Sequence, residues 1–285
     1  MPAADPALRF VLCADDFALS PGVSQGILEA LDSGALSAAG AMTTRPFWRA
    51  DAQALRPFIG RADLGLHLNL TAGAPLTAMP RLAPGGVLPG VGALIRASLT
   101  GRLPEREIRA EIDAQLNAFA GGLGREPDFL DGHQHVHVLP GVRRWALEAL
   151  ARRGLAGKAY VRDSGDGLRN ILARRVEAPK ALLVSALAQG FAAAARRAGF
   201  AANQGFAGFS AFDPARAYAP DFAAFLTNPG PRHLVMCHPG YVDGALDAGD
   251  SVTASRLKEL AFLASPEFRA VLGARGARSV RFADL

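Results

Sequence analysis

His133, His135 and His137 stand at alternate positions behind Asp131, in the run DGHQHVH. Read as a strand, this spacing turns all three imidazoles to one side. Three converging imidazoles are hard to account for by packing and point to a metal, because neutral imidazole is a common ligand for zinc and related ions. The rise between alternate strand positions is about 6.6 Å, so not all three need bind one ion. One is expected as a ligand. The others are expected to touch substrate or to orient the ligand.

Three weaker signals join this one. Asp15 and Asp16 end the apolar run Phe10–Ala14. Adjacent carboxylates at a strand end suit a division of labour, one binding a cation and the other taking a proton. Taken alone, the pair is better explained by one carboxylate capping the next helix. His67, in GLHLNLT, faces away from Leu64, Leu66, Leu68 and Leu70. Taken alone it reads as a hydrogen-bonded core histidine. His238, in CHPG, ends a late apolar run, where the rim of a sheet and a loop-satisfied position are equally good descriptions. His233 starts the same run, at the opposite end, and is left out of the site. Together, an Asp, two His and an open position make a hydrolytic metal centre. A second carboxylate would take a proton from metal-bound water, and a further acid such as His238 would protonate a departing amine. These are the parts needed to hydrolyse an amide.

The elements around these residues alternate. Short apolar strands are expected near Phe10–Ala14, Leu36–Thr44, Ala62–Thr71, Pro127–Val138, Ala159–Val161, Gly205–Phe212 and His233–Gly240. Helices are expected near 20–33, 47–58, 105–120, 141–153, 179–198, 214–226 and 256–263. Ser20 is a suitable N-cap, with Pro21 at the first helical position. A proline- and glycine-rich excursion from Gly73 to Gly92 reads as a long loop beside the site. Strand–helix alternation without linker or repeat implies a parallel sheet, open or closed into a barrel. The polar residues of interest sit at strand C-terminal ends, the rim where such folds assemble active sites.

Bulk properties set limits. The 285 residues suit one large domain, and half are hydrophobic. The net charge of +5 comes from arginines scattered as doublets, such as Arg143-Arg144 and Arg196-Arg197, rather than from a stripe. Nucleic-acid binding is therefore not expected. Cys13 and Cys237 lie in apolar runs and read as reduced, buried thiols of a cytoplasmic protein. No signal peptide is visible. The longest apolar stretch, Ala181–Ala195, is shorter than the roughly 18 residues a membrane span needs, so no stable span is expected.

Four motifs carry a family resemblance. CADDFALSPGV, LGLHLNLTAGAPL, DGHQHVHVLPGV and CHPGYVD resemble, in the same order, the signatures of the YdjC-like carbohydrate deacetylases (the ChbG/HpnK group). The match spans about residues 8 to 265. The resemblance implies a single-domain α/β fold over residues 1–285, a distorted (β/α) TIM-like barrel of the polysaccharide-deacetylase type. It implies removal of acetyl from an N-acetylated sugar, such as a chitooligosaccharide or a glycolipid, with a divalent metal, Mg or Zn. Carried onto this chain, Asp16, His67 and His133 are the metal ligands and Asp15 is the general base. His238 is the acid or a substrate contact. Asp131, His135 and His137 are substrate-binding. Arg256 and Glu259 form a structural ion pair. As a partner it implies a small-molecule sugar or glycolipid; no nucleic acid is expected, on the charge distribution, and a homodimer is left open by the sequence. One departure is visible: Ala18 stands where the family usually has glycine after ADDF.

Three other readings are weighed against this one. An HxH unit also occurs in amidohydrolase barrels, but on the first strand rather than mid-chain. Two His and a carboxylate also serve iron oxygenases, but the β/α alternation speaks against the double-stranded β-helix usual for them. A sugar- or metal-binding barrel without turnover would have no need of Asp15 beside the ligands.

Overall fold

A computed structural model of the chain describes residues 8–213, 215–246 and 252–285. Its strands are β1 (Leu8–Phe17), β2 (Ala38–Ala41), β3 (Asp63–Leu68), β4 (Phe129–Gly132), β5 (Tyr160–Val161), β6 (Ala201–Ala202), β7 (Phe206–Ala207), β8 (His233–Cys237) and β9 (Ala277–Ser279). Its helices are α1 (Pro21–Asp32), α2 (Trp48–Leu55), α3 (Val91–Leu99), α4 (Glu105–Leu123), α5 (Val142–Arg152), α6 (Leu168–Arg174), α7 (Ala178–Leu187), α8 (Phe191–Arg197), α9 (Tyr218–Phe225), α10 (Thr253–Ala264) and α11 (Pro266–Arg275).

The named strands pair in parallel, in the order β6-β5-β4-β3-β2-β1-β8-β7, and β9 pairs with the start of β1. β6 and β7 end this order, yet only residues 203–205 separate them in the chain. Eight strands laid flat would span about 34 Å. Ala202 and Phe206 can be at most about 14 Å apart. The sheet must therefore curl until its ends approach, which makes a distorted barrel with a seam. Asn203 clasps that seam, accepting from the Asp163 amide at 2.7 Å and donating to the Asp163 and Gly205 carbonyls at 2.8 and 3.1 Å.

Strand alternation fills the barrel and sets its rim. Phe10, Leu12 and Ala14 of β1 join the large apolar layer between sheet and helices. Val11 and Cys13 point inward with Ala38, Phe129, Tyr160, Phe206, Leu234 and Met236. Two residues further along, the same inward phase gives Asp15, Gly40, Asp131, Arg162 and His238. The barrel interior is thus apolar at one end and charged at the other.

Several sequence expectations are revised. Only Phe129–Gly132 of the expected Pro127–Val138 strand is extended. His133–Val138 forms a 3₁₀ turn in which Gln134 (φ 52°) and His135 (φ 61°) are left-handed. The three histidines therefore do not share one side of a strand. The helix expected over 179–198 is two helices, broken before Gly190 (φ 78°). The apolar segment is longer than expected. Ala178–Arg197 is 20 residues and contains a stretch long and apolar enough to cross a membrane by length and composition alone. The helix expected over 214–226 occupies Tyr218–Phe225, and Pro214 lies outside the described residues. Five elements, α3, α6, α11, β6 and β9, carried no assignment from the sequence.

Candidate functional site

β1 ends in a strained turn. Asp16 and Ala18 both have φ near 71°, a left-handed conformation that disfavours a side chain. The turn sends the two neighbouring carboxylates to different partners. Asp16 Oδ1 meets His133 Nδ1 at 2.9 Å and His67 Nε2 at 3.4 Å, while Asp16 Oδ2 accepts from Arg256 Nη2 at 2.8 Å. Asp15 instead takes a two-pronged hydrogen bond from Arg162, at 2.7 and 2.5 Å.

Asp16, His67 and His133 each offer one ligand atom, all within 4.8 Å of one another. The donor set fits a divalent ion. Asp131 Oδ1 receives His67 Nδ1–H at 2.8 Å, which aims the Nε2 lone pair of a neutral ring at the shared point. The backing is dense: a Cβ on Gly40 would lie 3.2–3.3 Å from His67 and Asp131. A second grouping, Cys13, Asp15 and Asp131, also has ligand geometry. It is already served by a cation of the protein, because Arg162 Nη2 lies 3.1 Å from Cys13 Sγ and 2.5 Å from both carboxylates.

Charge follows from this wiring. Three buried carboxylates (Asp15, Asp16, Asp131) face two guanidiniums (Arg162, Arg256). Burial opposes a charge on His67, but Asp131 and Asp15 outweigh it and push the imidazole up to about 10. Burial would raise Asp15, yet Arg162, with His67 and His238, holds it well below the usual carboxylate range. Asp16 is likewise held low, against burial, by His133 and Arg256. His238 has the opposite fate. Burial pushes it down to about 4 despite Asp16 and Asp15, so at neutral pH it is an uncharged imidazole. Its Nε2 lies 4.0 Å from Asp15 Oδ2, and its amide donates to Glu259 Oε2 at 2.6 Å.

A cavity of about 510 Å³ opens over these groups. Asp15, Asp16, His67, His133 and His238 form its floor. Thr71–Gly73, Val91, Ile95, Leu139, Leu183, Val184 and Leu187 are among its walls. Phe212 stands edge-on to His238 at 5.4 Å and carries the Lys180 ammonium 4.2 Å above its ring.

The YdjC-like family model matches residues 9–274. The chain belongs to the YdjC-like family. A carbohydrate deacetylase of Homo sapiens is 31% identical, over 98% of this chain and 92% of its own. A chitooligosaccharide deacetylase of Klebsiella pneumoniae is 33% identical, over 96% and 98%. Among solved structures, an Enterococcus faecalis protein, named for a supposed role in cellobiose-phosphate cleavage, superposes with a TM-score of 0.71. It is 21% identical, over 97% of this chain and 98% of that one, and shows a shared fold.

For this YdjC-like chain, the structure brings Asp15, Asp16, His67, His133 and His238 together on one floor. His135 also reaches the cavity, with Nδ1 3.1 Å from Ser164 Oγ and its ring beside Phe206 and Phe209. Asp131 and His137 are corrections. Both are fully buried and off the cavity wall, so neither is placed to touch a substrate. Asp131 positions His67 and Arg162, and His137 Nε2–H donates to the Arg162 carbonyl at 2.8 Å. Arg256 and Glu259, expected as a structural ion pair, reach the site itself: Arg256 donates to Asp16 and Glu259 accepts from the His238 amide. Sequence reasoning missed Arg162 and Lys180. Arg162 had a usable signal: it directly follows β5, the same strand-end position that singled out Asp15 and His238.

Proposed function

We propose that this chain is a metal-dependent hydrolase that removes acetyl groups from N-acetylated sugars. The observation that carries the reading is the meeting of Asp16, His67 and His133 around one point, with Asp15 on the same cavity floor. Family membership supports the sugar and the amide. Two imidazoles to one carboxylate favour zinc or a similar ion over magnesium, which prefers all-oxygen sites. Such an ion would polarise the acetamide carbonyl and acidify a bound water.

The chain's own groups divide the proton work. Asp15 is held ionised by Arg162 and is free to accept the proton of the attacking water. It is a weak base, so it holds that proton only briefly. His238 is uncharged at rest and cannot begin as the acid. It becomes one by receiving a proton, and Asp15 lies 4.0 Å from its Nε2. Protonated His238 then donates to the departing amine. The aliphatic wall of Ile95, Leu139, Leu183 and Leu187 favours an acetamido sugar carried on an apolar group over a long free oligosaccharide. The two buried free thiols suit a reducing compartment, and a cytoplasmic protein is part of this reading.

The test is acetate release by metal-loaded protein from a panel of N-acetylglucosamine compounds, beside Asp15→Asn. Release by the wild type alone, with equal metal content in both, supports the reading. Equal release by both removes Asp15 from the mechanism. Bound metal with no release from any compound points to a binding barrel or to another amide.

A further inference from the structure

The cavity mouth is flanked by α3 and α7. On α3, Val91, Ile95 and Leu99 recur every fourth residue and so share a stripe. The first two line the cavity, and Leu99 continues the stripe outward at 62% exposure. Across the mouth, Leu183 of α7 lines the cavity and is still 61% exposed. Val87 is 63% exposed beside Leu88, whose amide bonds the carbonyl of Gly73 in the cavity wall. These are the three most exposed large aliphatic side chains among the described residues. The next two, Leu168 and Leu172, lie on α6, which packs against α7.

The charge of the same stretches is one-sided. Residues 64–104 contain Arg81, Arg96 and Arg102 and no Asp or Glu, and residues 178–212 contain Lys180, Arg196 and Arg197 and no Asp or Glu. Against a whole-chain charge of +5, the rest of the sequence therefore balances to −1. Arg81, Arg96 and Arg102 are exposed. Solvent-facing aliphatics set among cations are the composition of a surface that lies in a lipid headgroup layer. A protein-docking patch would be enriched in aromatic and methionine side chains, and among the described residues the exposed large apolar side chains are all aliphatic. The segment Ala178–Arg197 has the apolarity for such contact, and its break before Gly190 suits lying along a membrane rather than crossing it.

We infer that the cavity mouth docks onto a membrane surface containing anionic lipid. Val87, Leu99 and Leu183 enter the headgroup–acyl boundary, and Arg81, Arg96 and Arg102 contact headgroup phosphates. The docking stands on these surface observations alone. Only its corollary, that an acetamido sugar on a membrane lipid reaches the floor without leaving the surface, rests on the proposed deacetylase reading.

The test is flotation of the full chain with vesicles of phosphatidylcholine, alone or with phosphatidylglycerol. The wild type should float with the mixed vesicles and be released by 0.5 M salt. Each cation near an anionic surface contributes about fivefold in partitioning, so R81E/R96E/R102E should weaken binding by about a hundredfold or more. V87S/L99S/L183S should also lose binding, whereas I59S, at an exposed site before β3, should match the wild type. Circular dichroism and thermal melts confirm that each variant is folded. Absence of wild-type flotation, or flotation unchanged in V87S/L99S/L183S, overturns the inference. So does equal loss in I59S. Acetate release from a soluble sugar is assayed separately, so failure of the deacetylase reading leaves this result independent.

Discussion

Arg162 holds Asp15 through two hydrogen bonds and lies 2.5 Å from Asp131, so one guanidinium sets the charge of the cavity floor. Arg162→Met leaves two buried carboxylates without their cation, which should cost about 3–5 kcal/mol in urea unfolding. The sign with pH follows from Asp15, whose folded pKa is depressed. Its contribution is present above the ordinary carboxylate range and is lost as pH falls through the folded value. The variant lacks that contribution, so its acid unfolding should begin at higher pH than the wild type's. An unshifted acid transition would mean that Arg162 does not hold Asp15 ionised. Ala18 offers a second residue-scale test. Its φ of 71° costs an L-residue about 1–2 kcal/mol. Glycine relieves this, but loses about 0.8 kcal/mol of methyl burial and about 0.5–1 kcal/mol of chain entropy. Ala18→Gly should therefore stay within about 1 kcal/mol of wild type. Ala30→Gly, in the interior of α1, has no strain to relieve and should lose about 1.5–2 kcal/mol. Equal losses in the two variants would remove the strain at the β1 turn.

At the scale of elements, the site depends on what β2 leaves out. Its sequence, AAGA, presents no side chain at Gly40 where His67 and Asp131 pack. Gly40→Val pushes against both, and outer groups of this kind govern metal affinity by about 10–100-fold. Calorimetric titration should show at least a tenfold weaker dissociation constant, with the fold retained by circular dichroism. Unchanged affinity would mean that the His67–Asp131 pair need not be held tightly. This dependence also explains what the sequence made legible. Period-2 apolar strands ending in polar residues gave the parallel sheet, its rim, and the Asp15, Asp16, His67 and His238 positions. The HQHVH run misled because alternation cannot tell a strand from a tight turn. Left-handed Gln134 and His135 swing His133 to Asp16 and bury His137 under Arg162. Arg162 directly follows a two-residue strand, so its strand-end position was legible but weaker than those of Asp15 and His238, which close longer apolar runs. The split between α7 and α8 escaped because one glycine within an alanine-rich stretch is a weak break until its φ is known.

For the whole molecule, metal binding and folding are linked through His67. Without an ion, His67 is pushed up to about 10, above the ordinary 6.5. A group so raised contributes stability that is complete below its unfolded pKa and is lost as pH rises through the folded value. The metal-free protein should therefore lose this contribution progressively between about pH 6.5 and 10. The ion needs the neutral ring, so binding expels a proton and tightens over the same window. The two trends oppose each other, and the melting-temperature gap between loaded and metal-free protein should widen as pH rises. At a hundredfold excess over the dissociation constant, an ion adds about 2.7 kcal/mol. At about 2–4 °C per kcal/mol for a domain somewhat smaller than this one, the gap should reach roughly 5–10 °C near pH 8. It should shrink toward pH 6. Titrations in buffers of different ionisation enthalpy should show a proton released per ion bound. In His67→Asn the gap should be small and nearly independent of pH. A gap that stays constant with pH in the wild type would mean that His67 carries no proton for the ion to displace, and that the excess of carboxylates over guanidiniums around the site is compensated elsewhere.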